Sequence, residues 1–340
     1  MVETFPQEKQ PPEEPEQFPP ILDAWYLTGP TASGKTAVAV ELARRLGAEI
    51  ISLDSMAVYR GMDIGTAKPS PEERRLIPHH LVDCVDPNEE FSVAQYLQKA
   101  HELVQEIRDR GKVPLFAGGT PLYLKALLRG LFIGPAADWD LRRQLMARAD
   151  REGPAALHRE LAQVDPTTAA RLHPQDTRRI VRALEVYLKT GRPISKLQQQ
   201  FNRENPPEKC RVFVLLRTRE DLRKRIAQRV AGMLESGLVD EVRKLLKQFG
   251  SLSRTARQAV GYREVLAFLE GRCRQEELAD LIATHTWQLA RRQLIWFRSL
   301  RECRFVPVGP FDAPEEIAER ILALAAGDGP SLRESSSKPL

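Results

Sequence analysis

The sequence contains nothing near the roughly 18 consecutive uncharged apolar residues that a membrane-spanning helix needs, which excludes a membrane-helix protein. Cysteine is scarce: Cys84, Cys210, Cys273 and Cys303 are widely scattered, and no two form a C-x-x-C pair. This argues against a zinc finger or a disulfide framework and fits a reduced, cytoplasmic setting. The opening "MVETFPQEKQPPEEPEQFPP" lacks an apolar centre and is rich in Glu and Pro. It is neither a secretory signal nor an Arg-rich transit peptide, and residues 1–20 are expected to be a disordered tail, as are residues 326–340. No internal repeat is apparent. Neither sign of charge dominates, with 51 Lys and Arg against 46 Asp and Glu, a net charge of +5. That balance permits a nucleic-acid partner without requiring one.

What is present is a core-forming chain, 42% hydrophobic, in which short apolar runs alternate with amphipathic stretches. "AWYLTGP", "AEIISLD", "HHLVDCVDP" and "VPLFAGG" read as strands. Between them, "KTAVAVELARRLG" has helical spacing and a Gly47 stop, and "SVAQYLQKAHELVQEIRDRG" has Ser92 as N-cap and Gly111 as stop. "PLYLKALLRG" is a further helix with Pro121 early in it. Strands alternating with helices predict a doubly wound parallel sheet. From Asp138 to about residue 205 the pattern changes to helices alone, then "CRVFVLLRT" returns to strand, followed by long helices and a last strand, "CRFVPV". The expected organisation is therefore a core in two parts (21–137 and 206–325) around an all-helical insertion subdomain (138–205).

The strongest motif is "GPTASGKT": Gly29, Pro30, Thr31, Ala32, Ser33, Gly34, Lys35 and Thr36 form a G-x-x-x-x-G-K-[ST] phosphate-binding loop between a predicted strand and a predicted helix. Its backbone N–H groups make an anion nest, Lys35 adds a cation, and the Thr36 hydroxyl offers a Mg²⁺ ligand. The fold class is thus α/β, P-loop NTPase-like. Asp54 follows the second strand and falls at the same carboxyl edge of the sheet, where ligands bind in this architecture. It suits a Mg²⁺ ligand, a partner for a sugar hydroxyl or a general base; the plainer alternative is a helix N-cap. Lys68 is an anion contact or a solvated lysine, and Thr120 a substrate donor or the cap of the helix that starts at Pro121. His79 and His80, adjacent in a strand, face opposite sides and do not make a joint metal site. Arg225 and Arg229, four apart, share one helical face, and Arg178, Arg179 and Arg182 cluster likewise. Each basic run, taken singly, is more simply a solvated face, and Tyr262, Trp287, Trp296 and Phe297 are more simply core than stacking platforms.

The ordered set "GPTASGKT", "DSMAVYRGMDIGTAKP", "HHLVDCVDP", "FAGGTPLYLKALL", "HPQDTRRIVRALEVYLKTGRPIS", "AVGYRE" and "LARRQLIWFR" resembles the bacterial tRNA dimethylallyltransferase family over roughly residues 22 to 310. The resemblance implies transfer of a dimethylallyl group from dimethylallyl pyrophosphate to N6 of adenosine 37, beside the anticodon, in tRNAs that read codons beginning with U. It implies Asp54 as general base, Thr36 as Mg²⁺ ligand and Arg229 as a cation on the leaving pyrophosphate. It also implies tRNA contacts by Asp54, Ser55, Met56, Ala57, Thr120, Arg142, Arg178, Arg179, Ile180, Val181, Arg182, Gln258, Ala259, Val260, Gly261, Tyr262 and Arg263. Ala57 stands where many members carry Gln. A monomer is expected. Two rival classes use the same loop for ATP: a small-molecule kinase and an RNA-binding NTPase switch.

Overall fold

In the computed structural model, residues 17–202 and 204–327 are described; the expected tails fall mostly on residues 1–16 and 328–340, outside the described residues. The chain divides into two compact units, one of residues 20–129 with 204 onward, the other of residues 130–203 with the segment up to residue 19.

The larger unit is built on a six-stranded sheet. Its strands are β1 (Trp25–Thr28), β2 (Ala48–Ser52), β3 (His79–His80), β4 (Val113–Gly118), β5 (Arg211–Leu216) and β6 (Cys303–Pro307), in the order β3-β2-β4-β1-β5-β6. Every pairing is parallel, with Trp25 opposite both Leu115 and Arg211. The central strand β1 is therefore flanked by strands that arrive through different crossovers, and the crevice at its carboxyl end is where such folds bind ligands. The first helices are α1 (Lys35–Leu46), α2 (Pro71–Leu76), α3 (Val93–Asp109) and α4 (Pro121–Arg129). Ser92 caps α3 in a reciprocal capping box with Gln95. Trp25, Leu27, Leu115 and Phe213 from one face of the sheet pack with Val38 and Leu42 of α1. Tyr26 and Phe116 stack on the other face, with ring centroids 5.0 Å apart. Burial of both faces explains why the strands read as unbroken apolar runs.

The stretch "HHLVDCVDP" is not one strand. Only His79–His80 pairs with β2; Leu81 and Asp83 then take positive φ (57° each) and turn the chain away. A single bridge, Tyr59 to Val85, follows. The two histidines do separate, His79 bonding the Ile77 carbonyl and His80 the Glu49 carboxylate.

The second unit contains α5 (Trp139–Glu152), α6 (Pro154–Val164), α7 (Pro166–Arg171), α8 (Thr177–Thr190) and α9 (Ile194–Leu197). Its core holds Leu145, Leu157, Leu161, Ile180, Val181 and Leu184. It starts earlier than residue 138, because Gln17–Phe18 pairs antiparallel with Leu131–Phe132. That pairing also removes residues 17 and 18 from the expected disordered tail. After β5 the larger unit continues with α10 (Arg219–Glu235), α11 (Leu238–Phe249), α12 (Tyr262–Leu269) and α13 (Gln275–Arg298), and after β6 it ends with α14 (Pro314–Ala326). No helix of the described residues is long and apolar enough to cross a membrane.

Candidate active site

Strand β1 runs directly into the 29–34 loop, and α1 leaves it. Gly29 has φ +151°, and a Cβ there would lie 2.9 Å from the Leu215 carbonyl oxygen of β5, so the loop passes its neighbour with no room for a side chain. Gly34 caps α1 without a side chain, and no acidic residue occupies the first turn. Gly34, Lys35, Thr36 and Ala37 line a cavity of about 580 Å³. The unpaired N–H groups and positive end of α1 are thus offered to an anion.

Cations surround that space. Lys35 Nζ folds back onto the carbonyls of Gly29 (3.0 Å) and Pro30 (2.7 Å). Burial, followed by the nearby Arg229 charge, lowers its pKa from 10.5 to about 7, against an opposing pull from Asp54. Arg225 Nε donates to the Ala32 carbonyl at 2.8 Å and Arg229 Nη2 to the Thr66 carbonyl at 3.3 Å. Arg217 holds the loop from beneath, its Nε donating to the Ser33 carbonyl at 2.8 Å. Burial lowers the pKa of Arg229, with Asp54 favouring its charge.

Asp54 stands at the far wall. The N–H of Leu53 donates to Ala117 O (2.8 Å), so the chain leaving β2 stays fastened beside β4. Asp54 Oδ1 accepts the Met56 N–H at 2.8 Å, an Asx turn rather than a helix cap, since residues 55–58 are turns. Oδ2 accepts no hydrogen bond among the described residues. Thr120 Oγ1 accepts the Ser55 N–H at 3.0 Å, so its hydroxyl positions the turn that carries Asp54. A second cavity, of about 280 Å³, lies on the other side. Thr31, Asp54, Thr66, Gly119, Arg229 and Gln293 line both. One cavity is therefore lined by the glycine loop with Lys35, Arg225 and Arg229, the other is bounded by Met56, Thr120 and the 258–260 segment, and a carboxylate stands where they meet.

The IPP transferase family model matches residues 57–300 of this chain. A tRNA dimethylallyltransferase of Thermomicrobium roseum is 45% identical over 313 residues, 92% of each chain. One of Geobacter sulfurreducens is 49% identical over 296 residues, 87% of this chain and 95% of the relative. The chain belongs to the tRNA dimethylallyltransferase family. Among solved structures, the full-length tRNA isopentenylpyrophosphate transferase of Bacillus halodurans superposes with TM-score 0.65 at 39% identity, covering 90% of this chain and 96% of that one. A eukaryotic dimethylallyltransferase acting on tRNA reaches TM-score 0.72 at 26% identity, over 90% of this chain and 78% of that one.

Within this family member, the residues expected from the sequence separate into groups. Thr36, Asp54 and Arg229 share the larger cavity, with Thr31, Ala32, Gly34 and Lys35. Gly29 and Pro30 contribute carbonyls that hold Lys35, and Ser33 is buried beneath. Ser55, Met56, Thr120, Gln258, Ala259, Val260 and Arg263 line the smaller cavity. Ala57 does not; it lines the larger cavity. Tyr262 is fully buried with its hydroxyl on Glu241 at 2.5 Å, and Gly261 lines neither cavity. Ile180 and Val181 lie in the core of the helical unit, so their side chains present nothing to RNA.

The arginines of that unit also divide. Arg142 gives both Nε (2.9 Å) and Nη2 (2.7 Å) to the fully buried Glu185, and Arg182 pairs with the same carboxylate. Arg178 and Arg179 are exposed, the latter 3.3 Å from Asp176. Lys68 is not a solvated lysine: it lines the larger cavity, its side chain is 2% exposed, and Nζ donates to Tyr59 O (2.6 Å), Asp63 Oδ1 (2.6 Å) and Asp83 Oδ1 (2.5 Å). It clamps the 59–83 segment. Tyr262 and Phe297 are core, while Trp287 lies under Arg219 and Arg223 at 5.7 and 4.8 Å.

Gln293 escaped the sequence reading. Its Oε1 accepts the Thr31 N–H at 2.9 Å and its Nε2 donates to Gly119 O at 2.6 Å, joining the two loops across the site. The available signal is a polar residue inside the buried stripe Ile282, Thr286, Ala290, Gln293, Phe297 of α13.

Proposed function

We propose that this protein transfers a dimethylallyl group from dimethylallyl pyrophosphate to N6 of adenosine 37 in tRNAs reading codons that begin with U. The observation that carries the reading is the shared wall. A phosphate cradle and a separate cavity, large enough for one group to enter from outside, meet at Asp54 and Arg229. That arrangement suits two substrates reacting at one point, as transfer requires.

The pyrophosphate sits on the N-terminus of α1, with Lys35, Arg225 and Arg229 around it. The adenine leaves its stack in the single-stranded anticodon loop and enters the smaller cavity. N6 bonds to the allylic carbon, the carbon–oxygen bond breaks, and its electron pair departs on pyrophosphate. Asp54 Oδ2 takes the proton from N6, oriented by the Asx turn that occupies Oδ1.

A Mg²⁺ ion fits this donor set sparingly. Among the described residues no group of three or more His, Cys, Asp or Glu gathers to hold a metal. Thr36 lines the cavity and offers one hydroxyl, so Thr36 would hold the ion and the rest of its oxygen ligands would have to come from substrate and solvent, as suits Mg²⁺. When bound, Mg²⁺ supplies charge neutralisation on the leaving group. The exposed Arg178 and Arg179 of the helical unit fit contacts to the backbone of the anticodon stem-loop. The proposal includes action in the cytoplasm as a monomer, and a loop that takes the donor in preference to ATP.

The test is incubation of purified protein with tRNA and either radiolabelled dimethylallyl pyrophosphate or ATP. Label appearing on adenosine 37 with the former supports the reading. Lys35-dependent turnover of ATP, with no label on tRNA, would replace it with the kinase or switch.

A further inference from the structure

We propose that Glu241 is a positioning residue for the transfer, acting with Tyr262 to pin the 63–67 loop against Arg229. The proposal rests on the reading of Arg229 as a cation on the pyrophosphate.

Glu241 belongs to α11 and lies far in sequence from the phosphate loop and from Asp54. Its carboxylate gathers three donors. Oε2 accepts the N–H groups of Asp63 (3.0 Å) and Ile64 (2.8 Å), and Oε1 accepts the Tyr262 hydroxyl at 2.5 Å. Tyr262 is fully buried at the start of α12. Gly65 lies flat on its ring: a Cβ at that position would be 2.3 Å from Tyr262 Cε2, so only glycine lets the loop seat this closely. One residue further, the Thr66 carbonyl accepts Arg229 Nη2 at 3.3 Å. Thr66 and Arg229 both line the two cavities.

The loop is thus fastened by two different means. Lys68 ties it from within the segment, its Nζ donating to Tyr59 O, Asp63 Oδ1 and Asp83 Oδ1 and its N–H to Asp63 O. The N–H groups of Asp63 and Ile64 instead take their acceptor from outside the segment, the carboxylate on α11. Without Glu241 those amides lose a charged acceptor, the loop is released beside Arg229, and the guanidinium loses the carbonyl that orients it. The Tyr262 hydroxyl fixes which way the carboxylate turns. This also gives the buried tyrosine of "AVGYRE" a role that requires no contact with RNA.

The experiment is a mutant cycle read by single-turnover transfer, with donor affinity, tRNA affinity and thermal melting measured alongside. The variants are Glu241→Ala, Glu241→Gln, Tyr262→Phe, Arg229→Ala and the double variant Glu241→Ala/Arg229→Ala. Glu241→Ala is expected to slow transfer by about 10- to 100-fold, the range for losing a charged hydrogen-bond partner. tRNA affinity should stay within about threefold. Glu241→Gln should recover part of the rate, because its amide oxygen still accepts a loop N–H. In the Arg229→Ala background, removing Glu241 should cost less than about threefold, since a residue that acts through another is silent once that residue is gone. A full multiplicative cost in the double variant would overturn the pin, and so would wild-type transfer by Glu241→Ala. If Glu241→Ala does not fold, Glu241→Gln and Tyr262→Phe carry the same cycle. Arg229→Ala at wild-type rate would instead sink the reading of Arg229, and the pin with it. A slow Arg229→Ala with an undiminished Glu241 effect would sink the pin alone.

Discussion

Glu185 lets the arginines of the helical unit be sorted by experiment. It has no exposed surface, yet it accepts Arg142 Nε at 2.9 Å, Arg142 Nη2 at 2.7 Å and the Asp138 N–H at 2.8 Å, with Arg182 as a further partner. Breaking a buried ion pair by removing one side generally costs about 3–5 kcal/mol. Here the arginines retain some access to water, with 21% and 34% of their side chains exposed. They are partly rehydrated when the carboxylate goes, which places Glu185→Ala nearer about 2–3 kcal/mol. Arg142→Gln leaves the carboxylate with Arg182 and the Asp138 N–H and should cost about 1–2 kcal/mol. Its effect on the salt dependence of tRNA binding should be small, because its charge is already engaged. Replacing Arg178 and Arg179 together with Gln should do the reverse: little change in stability, and a log K against log[salt] slope shallower by about 1–2 units. The pH dependence has a definite sign. Burial raises the Glu185 pKa, but the hydrogen bonds from Arg142 and Arg182 outweigh it and hold the carboxyl below its usual range. Its stabilisation is therefore present above the unfolded carboxyl value and is lost as pH falls through the folded one. Thermal unfolding at neutral pH and near pH 3, with tRNA titrations at several salt concentrations, measures all of this. If Glu185→Ala melts like the wild type, or if Arg142→Gln flattens the salt slope as much as the Arg178/Arg179 pair does, the reasoning fails.

Three further outcomes are expected. Asp54→Asn should nearly abolish transfer while donor affinity, measured by calorimetry with dimethylallyl pyrophosphate, stays within about tenfold; general-base catalysis typically contributes about 10²–10⁴-fold. Gln293→Leu strands the Thr31 N–H and the Gly119 carbonyl, so denaturant unfolding should show a loss of about 2–4 kcal/mol, with a raised KM for the donor. Arg129 and the wholly buried Glu302 form a bidentate pair at 2.8 and 2.9 Å, and Glu302→Ala should destabilise the larger unit by about 3–5 kcal/mol, read by the same unfolding curve, without shifting tRNA affinity in protein kept folded.

Some of this protein is set out in its sequence. The glycine loop between an apolar run and an amphipathic one specifies a strand, an anion nest and a helix N-terminus, because each needs only local backbone geometry. The α/β class with its parallel sheet was legible in the same way, and the four-residue spacing put Arg225 and Arg229 on one face of α10. What periodicity does not carry is the partner. Arg142 and Arg179 look alike as residues on basic helices, yet a carboxylate 43 positions away claims the first and leaves the second exposed. Lys68 looks solvated until Asp63, Asp83 and Tyr59 close around it. Ile180, Val181 and Tyr262 lie inside quoted motifs, but their side chains point into cores that only packing defines. The junction of two cavities at Asp54, and the glutamine that spans it from α13, arise where segments more than 170 residues apart in the chain meet. Local spacing decides which face a side chain takes, and tertiary packing alone decides what stands opposite it.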